Sequence, residues 1–287
     1  DVDTATNANV RRFLTGGQMP PNDAVRAEEL SNYFDYNYPL PADRRTPFAT
    51  HVHVVPSPFN AGREIVHIGI QGYDLIPAER PPLNLTLMID TSGSMMEPNK
   101  LPLVKQSVEV LLEQLTSRDR VSIVVYAGSA GLILPPTPGD QRATISAALN
   151  RLEAGGSTAG GEGLALAYAT ARQNFNANSV NRVILASDGD FNVGIADPER
   201  LEDFVAEQRE TGIYLTILGF GGQNYNEVMT QTLSQAGNGT AAYIDTLREA
   251  NKVFSQEISR SLLPIADDVK IQVEFNPRQE AEYRLIG

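Results

Sequence analysis

Asp90-Thr91-Ser92-Gly93-Ser94 is the stretch on which both the fold and the site turn. It follows an apolar run, residues 83–89, that reads as a buried strand. Asp90 then falls at the strand's carboxyl end, where a parallel sheet opens its ligand crevice. One carboxylate and two serine hydroxyls lie within five residues, and Gly93 lets the backbone turn tightly between those hydroxyls. Hard oxygen donors on one tight loop suit Mg²⁺, Mn²⁺ or Ca²⁺ better than the softer metals that favour Cys and His. The same pentapeptide also reads as an Asx/Ser turn capping the next helix. Its surroundings decide between the two.

Outward from residue 83, strands and helices alternate. Strand patterns at 83–89, 120–126, 132–134, 181–187, 213–220 and 241–245 are separated by helical patterns at 101–116, 142–152, 163–175, 197–210, 226–236 and 248–262. The first helix shows the spacing plainly, with Leu103, Val104, Val108, Leu111, Leu112 and Leu115 on one face and Pro102 tolerated in its first turn. This grammar predicts an α/β fold with a doubly wound, mostly parallel sheet over residues 81–263. Residues 47–56 and 64–73 alternate with period two instead, as do residues 269–275. They predict a small antiparallel β domain, 46–80 with return strands in 264–287, into which the α/β domain is inserted. Residues 1–45 are expected to be a short helical N-terminal segment, with Tyr33, Phe34, Tyr36 and Tyr38 as packing residues.

Composition narrows the function. The chain has 287 residues, 41% of them hydrophobic, and no run of about 18 apolar residues able to span a bilayer. A net charge of −12 without a basic cluster disfavours nucleic acid as a partner. With no cysteine, thiol catalysis, disulfides and Cys-zinc sites are excluded. The chain opens at Asp1 without an initiator Met and ends directly after the strand-like residues 283–286, so it is expected to be a piece of a longer protein.

Other motifs fail on their chemistry. Residues 156–161 have phosphate-loop glycine spacing, but Glu162 stands where a Lys is needed. Residues 219–224 end in Asn224 instead of the third glycine of a dinucleotide loop, and follow a late strand. Residues 127–131 resemble a nucleophile elbow, yet His51, His53 and His67 all precede it, so the hydrolase order is impossible. The three histidines lie on the two alternating strands and read as exposed residues, with no further ligand near them. An aspartyl-phosphate phosphatase would need a second Asp where Ser92 stands. Asp188, Asp190, Asn192 and Glu199 match four positions of a calcium loop, but Val193 replaces its glycine and a strand, not a helix, precedes it.

Two strands end in aspartate, Asp90 and Asp188, and a glycine-rich connection carries Thr158. Asp90, Ser92, Ser94, Thr158 and Asp188 together resemble the metal-ion-dependent adhesion site of the von Willebrand factor type A domain. Residues 10–14, 28–36, 155–161 and 188–194 further resemble the bacterial YfbK-like proteins of that superfamily. The resemblance implies that Ser92, Ser94 and Thr158 give hydroxyl oxygens directly to one divalent ion, Mg²⁺ first and Mn²⁺ or Ca²⁺ next. Asp90 and Asp188 would act directly or through bound water. It implies a non-enzymatic protein-binding module whose ion accepts an acidic group of a partner, in the bacterial cell envelope, with a possible lipid anchor upstream of residue 1. A metal-assisted hydrolase and a scaffold with a purely structural ion are the alternative readings.

Overall fold

The computed structural model describes residues 4–43, 45–73, 80–156, 160–189, 198–221, 227–254, 266, 269–276, 278 and 282–286. Two compact units emerge: Asp1–Tyr33 with Pro81–Leu262, and Phe34–Arg80 with Leu263–Ile286.

The first unit carries a six-stranded sheet. In chain order its strands are β3 (Leu83–Asp90), β4 (Arg120–Tyr126), β5 (Ala130–Pro138), β6 (Val180–Ser187), β7 (Ile213–Phe220) and β8 (Ala241–Ile244). Their order across the sheet is β5-β4-β3-β6-β7-β8, with every pairing parallel except β4 with β5. Every residue of β3 and β6 is buried, as expected of parallel strands covered on both faces. Helices α3 (Leu101–Glu113), α4 (Arg142–Asn150), α5 (Gly160–Gln173), α6 (Pro198–Glu210) and α7 (Glu227–Ala236) lie between the strands, and α8 (Leu247–Lys252) follows the last of them. One core cluster joins Met88, Val124, Leu185 and Leu215 of the sheet to Leu164, Leu201 and Leu233 of the helices. At the opposite end of the sheet from Asp90, buried Asp119 accepts from the backbone N–H of Leu83 at 2.8 Å and of Thr116 at 2.7 Å. That carboxylate serves the fold, since backbone donors take up its charge.

The doubly wound sheet is as the alternation predicts, and several boundaries differ. β5 runs through Pro135 and Pro136, well past the expected 132–134. An edge strand tolerates proline, and the register of β4 against β5 shifts beside Ile123. α5 begins at Gly160, three residues before its apolar pattern. The expected last helix is described from Leu247 to Lys252, and residues 255–262 lie outside the described residues.

The stretch expected as one N-terminal segment divides at Tyr33. α1 (Ala5–Thr15) and α2 (Ala27–Asn32) belong to the α/β unit. The Arg11 guanidinium donates to both carboxylate oxygens of Asp245, at 2.9 and 2.8 Å, and to Glu249 at 2.9 Å. Tyr33 donates its hydroxyl to Glu249 at 3.1 Å, and Lys252 donates to the Tyr33 carbonyl at 2.8 Å. Buried Glu29 accepts from the Thr6 N–H at 2.8 Å and from the Gln231 amide.

In the second unit, β1 (Phe48–Pro56) and β2 (Glu64–Gly72) form an antiparallel pair with His53 opposite His67. Tyr38 stacks on His51 at 4.9 Å and on Tyr36 at 5.4 Å, the packing role expected for these tyrosines. The expected return strand is corrected: among the described residues the small sheet has two strands, and 269–276 form no ladder. Val269, Ile271 and Val273 are all exposed. Alternation prepares a strand, but only a partner edge in register makes one.

The Arg11 contacts generate a test. Arg11→Ala should cost about 1–2 kcal/mol of stability, a figure discounted because the guanidinium is partly solvated. Arg11→Lys should recover only part of it, since an ammonium cannot make the two parallel bonds to Asp245. Thermal melting checks this, and an unchanged melting temperature for Arg11→Ala would contradict it.

Candidate metal centre

The site begins with the order of the strands. β3 is followed in sequence by β4 on one side and, later, by β6 on the other, so the sheet's direction of winding reverses between β3 and β6. Loops leave in opposite directions at such a point and open a crevice. Asp90 is the last residue of β3, and Asp188 directly follows β6. Both are buried.

Asp90 organises the loop after it. Its Oδ1 accepts the backbone N–H of Ser92 at 2.8 Å, and its Oδ2 accepts the hydroxyls of Tyr126 at 3.2 Å and Ser187 at 3.3 Å. Burial pushes the Asp90 carboxyl pKa up, the Ser92 N–H pulls it down, and the Asp188 charge pushes it up again. Burial, with the Asp90 charge beside it, also drives the Tyr126 phenol well above its ordinary value, so Tyr126 stays a proton donor.

Held this way, the loop brings the Ser92 and Ser94 hydroxyls into a hydrogen bond with each other, Oγ to Oγ 3.0 Å. Octahedral Mg²⁺ with oxygens at 2.0–2.1 Å sets neighbouring ligand atoms about 2.9 Å apart. The two hydroxyls therefore already have the separation of adjacent magnesium ligands. Two backbone bonds tie the loop to the glycine-rich connection: Gly155 N–H to the Thr91 carbonyl at 2.8 Å, and Gly93 N–H to the Gly156 carbonyl at 3.1 Å. Gly156 has φ +82°, a conformation that favours glycine at this approach.

A cation already lies in the cleft. The Lys100 ammonium donates to Asp188 Oδ2 at 3.0 Å and to the Ser94 carbonyl at 2.9 Å. The site thus favours positive charge by its construction, and its oxygen donors fit a hard divalent ion.

Of the five expected residues, Asp90, Ser92 and Ser94 form one loop, and Lys100 links that loop to Asp188. Thr158 lies outside the described residues, as do Asp190 and Asn192 of the weighed calcium loop. Glu199 is exposed on the first turn of α6. Among the described residues no three His, Cys, Asp or Glu cluster where they could hold a metal ion, so hydroxyl oxygens would have to supply part of the ligand set. His51 Nε2 instead lies 3.1 Å from the Pro39 carbonyl, and His67 Nε2 3.1 Å from the Tyr38 hydroxyl.

Sequence reasoning missed Tyr126, Ser187 and Lys100. The first two were accessible in principle: Tyr126 ends the strand beside β3 and pairs with Asp90 in register, and Ser187 immediately precedes Asp188. Lys100 sits six residues beyond Ser94 and reads as an ordinary residue at a helix start.

Comparison with known proteins agrees with this architecture. The family model of the von Willebrand factor type A domain matches residues 84–256. A second von Willebrand factor model matches residues 1–67, and the C-terminal model of the uncharacterized protein YfbK matches residues 260–287. The uncharacterized protein YfbK of Escherichia coli (strain K12) is 46% identical over 293 residues, covering 100% of this chain and 51% of the relative. This chain thus spans about half the length of that relative. Among solved structures, a von Willebrand factor type A protein from Catenulispora acidiphila superposes with a TM-score of 0.55 at 20% identity, over 80% of this chain and 52% of that one. An aerotolerance-related membrane protein from Bacteroides fragilis NCTC 9343 superposes with a TM-score of 0.52 at 21% identity, over 62% and 99%. With that family model covering residues 84–256, more than half of its length, this chain belongs to the von Willebrand factor type A domain family.

Proposed function

We propose that the chain is a non-enzymatic, divalent-cation-dependent protein-binding module of the bacterial cell envelope. Mg²⁺ would be held by the hydroxyls of Ser92, Ser94 and Thr158, with Asp90 and Asp188 acting directly or through water. The observation that carries this reading is the 3.0 Å separation of the Ser92 and Ser94 hydroxyls on a loop fixed by buried Asp90. Neutral hydroxyl ligands leave the ion its electrophilicity, and Mg²⁺ keeps waters that a ligand can displace. An acidic side chain of a partner protein is the ligand such an ion favours. Family membership supports a protein-interaction role. The envelope assignment is supported by the likeness to a membrane protein and by the YfbK resemblance. Among the described residues no helix is long and apolar enough to cross a membrane, and the attachment proposed is a lipid anchor upstream of residue 1.

Calorimetric titration with Mn²⁺, and pull-down from an envelope extract in Mg²⁺ or EDTA, test the reading together. Metal-dependent capture of a protein is expected; capture that ignores EDTA, or turnover of phosphoesters or esters, would overturn it. Ser92→Ala combined with Ser94→Ala should weaken the ion by more than about 100-fold, and Asp188→Ala by about 10- to 100-fold. Asp190→Ala should do much less. Equal, severe losses for Asp190→Ala and Glu199→Ala would move the ion into the 188–199 loop.

Asp90 gives a pH-dependent test. A carboxyl whose folded pKa is raised contributes stability below its unfolded pKa, and that contribution is lost as pH rises through the folded value. At neutral pH without metal, an ionised Asp90 is therefore a burden. Asp90→Asn should raise the melting temperature in EDTA at pH 7, with a smaller gain toward acid, and weaken Mn²⁺ binding. A lower melting temperature at pH 7 would contradict the burial argument.

A further inference from the structure

Lys100 lies outside the five-residue pattern, yet its ammonium is inside the site. The side chain is 10% exposed, bridging Asp188 and the Ser94 carbonyl. The path for its aliphatic stem is built into the fold. At the end of β7, Gly221 has φ +82°, and a Cβ there would lie 2.5 Å from Lys100 Cε and 2.8 Å from Cγ. The Gly221 N–H donates to the carbonyl of Asn99 at 3.1 Å, fixing that approach. The loop after β3, the start of α3 and the end of β7 together make a slot that carries one ammonium to Asp188. Ordering and desolvating a lysine costs free energy, so the slot has to be repaid by what the charge does there.

We propose that Lys100 is a resident counter-ion of Asp188: it keeps the metal-free site in order and weakens the hold on the divalent ion. The inference rests on the metal-site reading above and adds the regulation of that site. An ammonium 3.0 Å from Asp188 already neutralises much of the charge that an incoming ion would use. An ammonium and a divalent ion that share one carboxylate repel each other, and removing the ammonium's charge is expected to be worth about tenfold in affinity. With the ion and Lys100 set against Asp90 and Asp188, one positive charge is left over. A carboxylate supplied by a partner balances it. The site is thereby tuned to hold its ion weakly alone and tightly with an acidic partner. Lys100 acts through Asp188, as a positioning residue.

The test is calorimetric titration of Mn²⁺ into the wild type, Lys100→Met and Lys100→Arg at pH 7, with melting curves in EDTA. Lys100→Met should bind Mn²⁺ at least about tenfold more tightly and melt lower in EDTA, with Mn²⁺ restoring it. Lys100→Arg, which keeps the charge, should stay close to the wild type. A lysine that merely braces the loop would instead weaken the ion when removed. Unchanged or weaker Mn²⁺ binding by Lys100→Met, with the wild type binding normally, overturns the counter-ion role alone. Absence of Mn²⁺ binding in all three proteins overturns the metal reading and this inference with it. Should Lys100→Met fail to fold, Lys100→Gln carries the same expectation and the same contrary result.

Discussion

Two carboxylates at the ends of neighbouring strands, both withdrawn from water, need positive charge and donated hydrogen bonds close by. Asp90 and Asp188 stand in that relation because β3 and β6 are paired in parallel and the chain leaves them in opposite directions. Much else at this edge of the sheet answers the same demand. The Ser92 N–H and the hydroxyls of Tyr126 and Ser187 serve Asp90, and the Lys100 ammonium serves Asp188. Asp119 at the opposite end of the strands shows the contrasting solution, in which backbone N–H groups take up the charge.

The fold was legible because both faces of the sheet are covered. Residues 83–89 are buried throughout and mostly apolar, and that kind of run, repeated between helical patterns, announces a parallel sheet. The crevice followed from two strands that each lead into an aspartate. What could not be read is what depends on a partner edge. Residues 269–275 alternate as β1 and β2 do, but without a strand in register they stay outside the small sheet. The allegiance of α1 to the α/β unit was equally hidden. It rests on Arg11 reaching Asp245 and Glu249, more than two hundred positions away in the chain.

The site divides in the same way. Asp90, Ser92 and Ser94 are local, so five consecutive residues display them. Lys100 enters only because Gly221, directly after β7, makes room for its stem. A sequence pattern lists the residues that face an ion; it does not list the charge that the fold sets against that ion. That second charge decides whether a cation site is strong by itself or is completed by an acidic partner.

The central claim is that the Ser92 and Ser94 hydroxyls are metal ligands and not the two sides of a helix-capping turn. Anomalous diffraction at the manganese edge, from crystals grown in Mn²⁺, measures this directly. The account predicts one peak within bonding distance of both Ser92 Oγ and Ser94 Oγ, on the Asp188 side of the loop. A peak in the 188–199 loop, or no peak within bonding distance of the two hydroxyls, would contradict it.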